Sequence, residues 1–242
     1  MTRLHRKDLK HDEIREKMSE AVKSVSIHGR ELFYVITIIL AVGFIAFAWS
    51  YYEKKQQQES QNLLGIAMEK FNSEQEQQSS DPSQPKPAYE YKTATEKYTD
   101  ALKDFEQIIK KYGNTPAADM ARYQAGICAF YLNDLQKAEQ YLKQSGSVSD
   151  KSVLFYQSRI ALANLYNLTG KPLEAVQLLK AAAEKNKNFV PQDYLLIQTA
   201  ASYEKAGKKK EATETYQKVL DQFKDSPISY QAQIRLTELK RN

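Results

Sequence analysis

The chain has 242 residues, 27% of them charged, and its formal net charge at pH 7 is +5. Residues 1–31 contain eight basic and six acidic residues, and residues 32–242 contain 27 basic and 24 acidic residues. Because both signs are mixed along the chain and no basic block occurs, the charge pattern argues against a nucleic-acid-binding surface.

Histidine and cysteine are scarce beyond residue 52. All three histidines (His5, His11 and His28) precede residue 32, and Cys128 is the single cysteine. This excludes Ser-His-Asp and Cys-His catalysis and an ordinary zinc site from residues 53–242. No glycine-rich phosphate loop or other catalytic motif occurs. We therefore expect a non-enzymatic protein without metal or cofactor, in which Cys128, within the apolar sequence AGICAF, is a buried small hydrophobe.

The run from Leu32 to Tyr52, LFYVITIILAVGFIAFAWSYY, contains no acidic or basic residue. As a helix it would extend about 31 Å, close to the roughly 30 Å hydrocarbon thickness of a bilayer. Aromatic rings favour the headgroup level, and they occur towards both ends of the run, as Phe33, Tyr34, Trp49, Tyr51 and Tyr52. The sequence therefore predicts a transmembrane helix over residues 32–52.

A cleaved signal peptide is the alternative interpretation of this run. Ala46-Phe47-Ala48 has the small-x-small pattern that signal peptidase recognises. Against cleavage, about 30 residues precede the apolar run, the run continues beyond the site, and Trp49 would become the new amino terminus. We favour a retained anchor.

Lysine and arginine indicate the orientation of the anchor. Four occur in residues 12–31, three in residues 53–72, and eight in the whole of residues 1–31. Because cationic residues resist translocation, we expect the amino terminus in the cytoplasm and the carboxy-terminal part outside it.

The basic segment 1–31 contains a predicted amphipathic helix over residues 12–26. Its apolar residues recur at helical spacing, namely Ile14, Met18, Ala21, Val22 and Val25. Such a helix can lie on the cytoplasmic leaflet as a lead-in to the span, or it can dock on a membrane partner. The sequence leaves both roles open.

Residues 53–88 divide into a helix and a loop. Residues 53–61 are polar and continue the helix, and an apolar face returns with Leu63, Leu64, Ile66, Ala67 and Phe71. We predict helix over 53–72, the part from Leu63 to Phe71 being the first helix of a split first repeat. Residues 73–88 are rich in Pro, Gln and Ser and are predicted as a loop, because prolines break helices and this composition forms no core.

Residues 89–242 are periodic, with equivalent residues 37 positions apart. The period relates four alanines, three turn residues and two tyrosines: Ala101, Ala138, Ala175, Ala212; Asn133, Gly170, Gly207; Tyr166, Tyr203. Self-similarity of this length is typical of a solenoid of helix pairs. We expect the alanines where paired helices approach closely, and the two glycines in turns that need a positive φ.

Helix starts are predicted from residues that cap helices. Thr115-Pro116 and Ser226-Pro227 each place a good N-cap before a proline suited to the first helical position. Pro172 is expected to start the second helix of its pair. The last helix, over 227–239, is predicted to be the polar-faced cap of the solenoid.

These residues resemble the tetratricopeptide repeat over residues 89–240. With the alanines at repeat position 20, position 8 is small and position 24 is large: Gly126, Ala163, Ala200; Leu142, Leu179, Tyr216. The period exceeds the usual 34 residues, and position 4, usually Trp, holds Arg122, Arg159 and Leu196. The resemblance implies an all-α solenoid of about four helix pairs following the transmembrane helix.

In such solenoids the first helix of each pair lines the concave face, through repeat positions 2, 5, 9 and 12. We predict protein binding there by Met120, Tyr123, Ile127, Phe130, Gln157, Ile160, Asn164, Tyr194 and Ile197. This mixture of apolar, aromatic and amide side chains suits peptide segments, although each residue could instead pack between helices. Positions 2 and 6 lack the Lys, Asn and Arg of the carboxylate clamp in Hsp90-binding repeats, being Met120/Gln124, Gln157/Ala161 and Tyr194/Gln198. We therefore do not expect recognition of a chain-terminal carboxylate.

The architecture as a whole resembles the membrane-anchored tetratricopeptide family of the YfgM type, an ancillary subunit of the bacterial SecYEG translocon. The matching features are the charged lead-in RKDLKHDEIREKMSEAV, one span, and repeats directly after it. The resemblance implies a bacterial inner-membrane protein whose repeats face the periplasm and work beside periplasmic chaperones. The stretch ALKDFEQIIKKYGNTPAADMARYQAGICAFYLNDLQKAEQYL also resembles repeats of an envelope coordinator that cooperates with the Tol-Pal system.

We therefore predict a non-enzymatic, membrane-anchored interaction scaffold. Its expected partners are translocon subunits, periplasmic chaperones or secreted clients, with no nucleic acid and no small-molecule substrate. The alternative is an envelope-assembly coordinator that binds cell-wall or Tol-Pal-type machinery. An enzyme using carboxylates would need clustered acids on the concave face, where the repeat frame places only Glu204.

Overall fold

The computed structural model describes residues 6–73, 89–146, 150–186 and 188–241. Within these ranges the chain forms nine α-helices and no strand, which confirms the predicted all-α class. The predicted loop 73–88 lies outside the described residues apart from Ser73. The chain divides into two compact units, Met1–Lys55 and Gln56–Asn242.

The first unit consists of the amino-terminal part of helix α1 (Arg6–Asn72). Every side chain from Phe33 to Tyr52 is exposed, and the most apolar window has a mean hydropathy of 2.5 with none of it buried. The indole N–H of Trp49 donates to the Glu53 carboxylate over 2.9 Å, which gives this aromatic ring a polar partner. By length and composition, this helix can cross a membrane.

The second unit contains the end of α1 and eight further helices, in which neighbours in sequence pack against each other. The helices are α2 (Ala94–Tyr112), α3 (Pro116–Tyr131), α4 (Leu135–Ser145), α5 (Val153–Leu168), α6 (Pro172–Lys185), α7 (Gln192–Lys205), α8 (Lys209–Gln222) and α9 (Ser229–Arg241).

The four alanines that recur every 37 residues lie between paired helices, and we call this contact the seam. Ala101, Ala138, Ala175 and Ala212 are all completely buried, and the large residues of position 24 are at most 2% exposed. At Gly126 a Cβ atom would come within 2.8 Å of the Leu142 side chain. Small residues are therefore required where the helices approach, as the sequence predicts.

The turns inside the helix pairs share one geometry. Gly170 and Gly207 have φ values of 77° and 70°, as predicted, and Asn133, at the equivalent position, has φ 61°. In each turn the following N–H donates to the carbonyl five residues earlier, with N···O distances of 2.9, 2.8 and 2.9 Å. Asparagine substitutes for glycine here because it tolerates the left-handed conformation better than most residues.

The predicted helix starts are observed in α3 and α6 and corrected in α9. The Thr115 hydroxyl accepts from the Ala118 N–H (3.3 Å) ahead of Pro116, and Pro172 begins α6. Helix α9, however, begins at Ser229 rather than at residue 227. The Ser226 hydroxyl accepts from the Ile228 N–H (3.4 Å) and donates to the Asp193 carboxylate of α7, so it caps the turn that precedes α9.

Arginine has a structural role at repeat position 4. The Arg122 guanidinium donates to the Asp119 carboxylate (2.6 Å) and to the carbonyl of Gly113, which ends α2 (2.7 Å). Arg159 donates in the same way to the carbonyl of Gly146, which ends α4 (3.2 Å). Each arginine thus satisfies a carbonyl at the end of the preceding helix, a group that has no partner within its own helix.

Within the second unit, the end of α1 packs on α2. Ala67 is completely buried in one cluster with Ala101 and Phe105. The Lys70 ammonium lies 3.0 Å from the Asp100 carboxylate and 2.7 Å from that of Asp104. The end of α1 therefore contributes both apolar packing and ion pairs to α2.

A candidate protein-binding groove

A groove of about 520 Å³ lies against α3, α5 and α7. This volume falls in the range of clefts that bind ligands. Seven of the nine predicted binding residues line it: Tyr123, Ile127, Phe130, Gln157, Ile160, Asn164 and Tyr194. We call this cavity the apolar groove.

Helical spacing explains why these residues meet. On α3 the lining residues Tyr123, Ile127 and Phe130 are separated by one and two turns, so they share one face. On α5 the lining residues Gln157, Ile160 and Asn164 recur at the same spacing. The residues that the repeat frame selects on these two helices therefore line one cavity.

The groove is lined by uncharged side chains within the described part of the chain. Its polar groups are tyrosine hydroxyls and the amides of Gln157 and Asn164, both of which are exposed on α5. Burial raises the pKa of Tyr123, and the nearby Tyr194 adds to the shift. The Tyr123 phenol therefore stays neutral and can donate a hydrogen bond, while a charged ligand group would find no opposite charge in the groove.

Aromatic contacts hold one rim of the groove. The Tyr131 ring is 57% exposed and stacks on Tyr98 with ring centroids 4.4 Å apart. Phe130 meets the same ring edge-to-face at 5.8 Å. An exposed aromatic surface is thereby presented in a fixed position, which suits contact with an apolar partner.

Several lining residues were not predicted from the sequence, among them Tyr131, Val153, Val190 and Pro191. Val190 and Pro191 lie in the turn before α7, which Asn186 organises. The Asn186 side-chain N–H donates to the Val190 carbonyl (2.8 Å), and its oxygen accepts from the Phe189 N–H (3.1 Å). Asn186 is the local signal for this turn, since asparagine commonly bonds to nearby backbone.

Two predicted residues, Met120 and Ile197, do not line the apolar groove. Met120 is half-buried on α3. Ile197 is only 2% exposed and packs in a cluster with Tyr216 and Val219. Its remaining surface faces a second cavity of about 330 Å³, lined by Ile197, Gln198, Ala201, Glu204, Lys205, Tyr216, Gln231 and Arg235.

This second cavity, which we call the polar cavity, contains a compact charge network. The Glu204 carboxylate accepts from the Tyr216 hydroxyl (2.6 Å) and from Arg235 Nε (3.2 Å). Arg235 also pairs with Glu238. Burial and the Glu204 hydrogen bond raise the pKa of Tyr216. The negative charge of Glu204 is therefore compensated inside the protein.

No group of three metal-ligating side chains occurs among the described residues. Cys128 is fully buried, and burial raises the pKa of its thiol to about 12. Because the thiolate is the reactive form, this cysteine has a packing role.

Comparisons with known proteins concern the fold. A family model described as a tetratricopeptide repeat-like domain matches residues 30–242. The chain is similar to the crystal structures of a Podosopora anserina putative kinesin light chain with nearly identical TPR-like repeats and of a variant of that protein. Each has 17% identity and a TM-score of 0.52, and the matches cover 60% of this chain and 79% and 78% of those chains, respectively.

The crystal structure of PilW, a widely conserved type IV pilus biogenesis factor, matches with 20% identity and a TM-score of 0.46, over 56% of this chain and 59% of PilW. A search of curated proteins finds no match. At 17% identity, the likeness to the Podosopora anserina structures shows the fold alone. Repeats of this fold are typically non-catalytic scaffolds that bind other proteins.

Proposed function

Because the chain belongs to the tetratricopeptide repeat-like domain family, we propose that it is a membrane-anchored scaffold whose apolar groove binds segments of other proteins outside the cytoplasm. The single observation that carries the proposal is the groove itself. It brings Tyr123, Ile160 and Tyr194, from three different helices, to one uncharged cavity.

The chemistry of the groove supports a protein segment as its ligand. Apolar side chains of a client would lose water against Ile127, Phe130 and Ile160, and this burial is favourable. The exposed amides of Gln157 and Asn164 can hydrogen-bond the client backbone. A backbone carries donors and acceptors at every residue, so such contacts suit clients of varied sequence.

The apolar part of α1 supports a tethering mechanism. A retained anchor confines the groove to a layer near the membrane, which raises its effective concentration for clients that emerge there. By the resemblance to the YfgM type, we propose that this layer is the periplasmic face of a bacterial inner membrane. The clients would then be secreted chains, and the partners would be SecYEG subunits or periplasmic chaperones.

Photo-crosslinking from inside the groove tests this proposal. A photo-reactive amino acid at Gln157 or Asn164, both exposed in the groove, should crosslink to secreted chains or to translocon subunits in intact cells. The matched control is Gln177, an exposed residue of α6 outside the groove. Equal yields from both positions would contradict specific binding. Crosslinks confined to cell-wall or Tol-Pal-type machinery would favour the envelope-assembly alternative.

Protease accessibility tests the orientation. Digestion of the repeats in spheroplasts, with the domain membrane-bound beforehand, is the expected result. Protection until lysis would place the repeats in the cytoplasm and overturn the translocon proposal. Release of the repeats from membranes without protease would instead indicate cleavage near Ala46-Phe47-Ala48.

A further inference from the structure

We propose that the apolar groove and the polar cavity form one two-part binding surface, which recognises a client segment with apolar side chains against α3 and α5 and an acidic side chain beside α9. This inference rests on the proposed function and names its ligand. The two cavities are joined by α7. Tyr194 lines the first, and Ile197, Gln198 and Ala201, which follow it at helical spacing on the same face, line the second.

Two repeat positions carry different residues at the α3 end and at the α7 end of this surface. At repeat position 12 the residues are Phe130, Asn167 and Glu204, and at position 13 they are Tyr131, Leu168 and Lys205. The α3 end is therefore aromatic, while the α7 end carries charge. A client that fills both cavities must therefore have apolar side chains at one end and a charged side chain at the other.

The unpaired charge that lines the polar cavity is the ammonium of Lys205. Glu204 is engaged by Tyr216 and Arg235, and its side chain is only 14% exposed. The Arg235 guanidinium is shared between the carboxylates of Glu204 and Glu238. Lys205 is exposed and forms no ion pair with any other described residue. An acidic group of the client would therefore meet the Lys205 ammonium, whereas a basic group would be repelled by it.

We assign this acidic group to a side chain rather than to the end of the client chain. Recognition of a terminal carboxylate by repeat positions 2 and 6 of successive helices would need cations there, and none of these positions is charged. Those positions hold Met120/Gln124, Gln157/Ala161 and Tyr194/Gln198. An exposed, flexible lysine at the rim suits an acidic side chain within a longer segment.

Binding of designed peptides to the full chain in lipid nanodiscs tests the inference. Three fluorescein-labelled, carboxy-amidated peptides would share one aromatic and aliphatic block and would end in an acidic, a neutral or a basic block. Since one exposed ion pair is worth up to about 1 kcal/mol, the acidic peptide should bind about threefold to fivefold more tightly than the neutral one. The basic peptide should bind more weakly than both. The preference should shrink as salt is raised.

Charge-reversal variants test whether Lys205 causes the preference for the acidic peptide. Lys205→Glu should abolish the advantage of the acidic peptide over the neutral one. Lys209→Glu is the matched control, because Lys209 is also exposed and lies on α8 outside both cavities. It should retain the preference.

The outcomes separate this inference from the proposed function. Equal binding of all three peptides, or a preference that survives Lys205→Glu, would overturn the inference and leave the groove proposal standing. Dependence on a free terminal carboxylate, tested with the unamidated peptide, would overturn the assignment to a side chain. Failure of every peptide to bind above empty nanodiscs would overturn the proposed function itself.

Discussion

The seam between paired helices and the concave face are built from the same repeats. The seam keeps the same residue type in every repeat, whereas the concave face does not. The seam has alanine in all four copies, each completely buried. The concave face changes with each repeat, from Phe130 to Asn167 to Glu204 at one position. At the seam, the short distance between the helices leaves room only for a small side chain. Exposed positions on the concave face can differ in residue type and can therefore determine which client binds. The periodic residues therefore define the fold, and the departures from the period define the binding surface.

Enlarging the seam should give the largest effect on stability. Ala175→Leu inserts a side chain where two helices approach, and overpacking of this kind costs about 1–3 kcal/mol or more. Chemical denaturation followed by circular dichroism measures the loss. Gln177→Leu, on the exposed side of the same helix, should change stability by less than about 0.5 kcal/mol. Equal midpoints for the two variants would mean that the seam is not tightly packed.

A smaller loss is expected at the turns. Gly170→Ala should cost about 1–2 kcal/mol, because a non-glycine residue is strained at positive φ. An added Cβ meets no atom within 4 Å at Gly170, so the cost is conformational alone. Gly170→Asn should cost less, since Asn133 adopts this conformation naturally. Thermal unfolding compares the variants, and an equal loss for both substitutions would refute this explanation.

On the concave face, a substitution should change binding more than stability. Gln157→Glu introduces a charge into the uncharged groove, where a bound apolar client would remove its water. We expect about tenfold weaker binding of the neutral peptide, with a stability change within about 0.5 kcal/mol. Gln177→Glu makes the same charge change outside the groove. Unchanged affinity in Gln157→Glu would show that clients bind elsewhere.

The smallest effect concerns the contact between α1 and α2. The hydrogen bond from Tyr91 and the pairing with Lys70 hold the pKa of Asp100 below its ordinary value of 3.8. A carboxyl group whose pKa is lowered by folding stabilises the fold above its unfolded pKa. That contribution is lost as the pH falls through the lower, folded pKa. Asp100→Asn should therefore flatten the decline of unfolding free energy below about pH 4. Parallel curves for the two proteins would exclude this contribution.

The sequence predicts most strongly those features that repeat. The alanine seam, the positive-φ glycines and the start of α6 at Pro172 follow from local chemistry and a fixed period. Features that depend on contacts between distant residues are not predictable in this way. Ser226 accepts from the Ile228 N–H as a cap would, but its bond to Asp193 of α7 could not be predicted. Arg122, at the position where tryptophan is usual, donates to the carbonyl at the end of α2.

The apolar groove shows the same limit of prediction from the sequence. Helical spacing brings Tyr123 and Ile160 together on the apolar groove, whereas Ile197 packs against Tyr216 in the core. Its burial depends on how α8 and α9 cover α7, which one helix pattern does not specify. Val190 and Pro191 reach the groove through an irregular turn, for which periodicity gives no signal.

The contacts between the end of α1 and α2 should hold these two helices together even without the covalent link between them. Ala67, Lys70 and Tyr112 each contribute to this interface, Tyr112 through a 3.0 Å hydrogen bond to Glu59. If the backbone were severed within residues 74–88, the two fragments should stay associated and co-purify. The amino-terminal fragment would then act as a separable membrane adaptor. One polypeptide would have become a heterodimer with the same core.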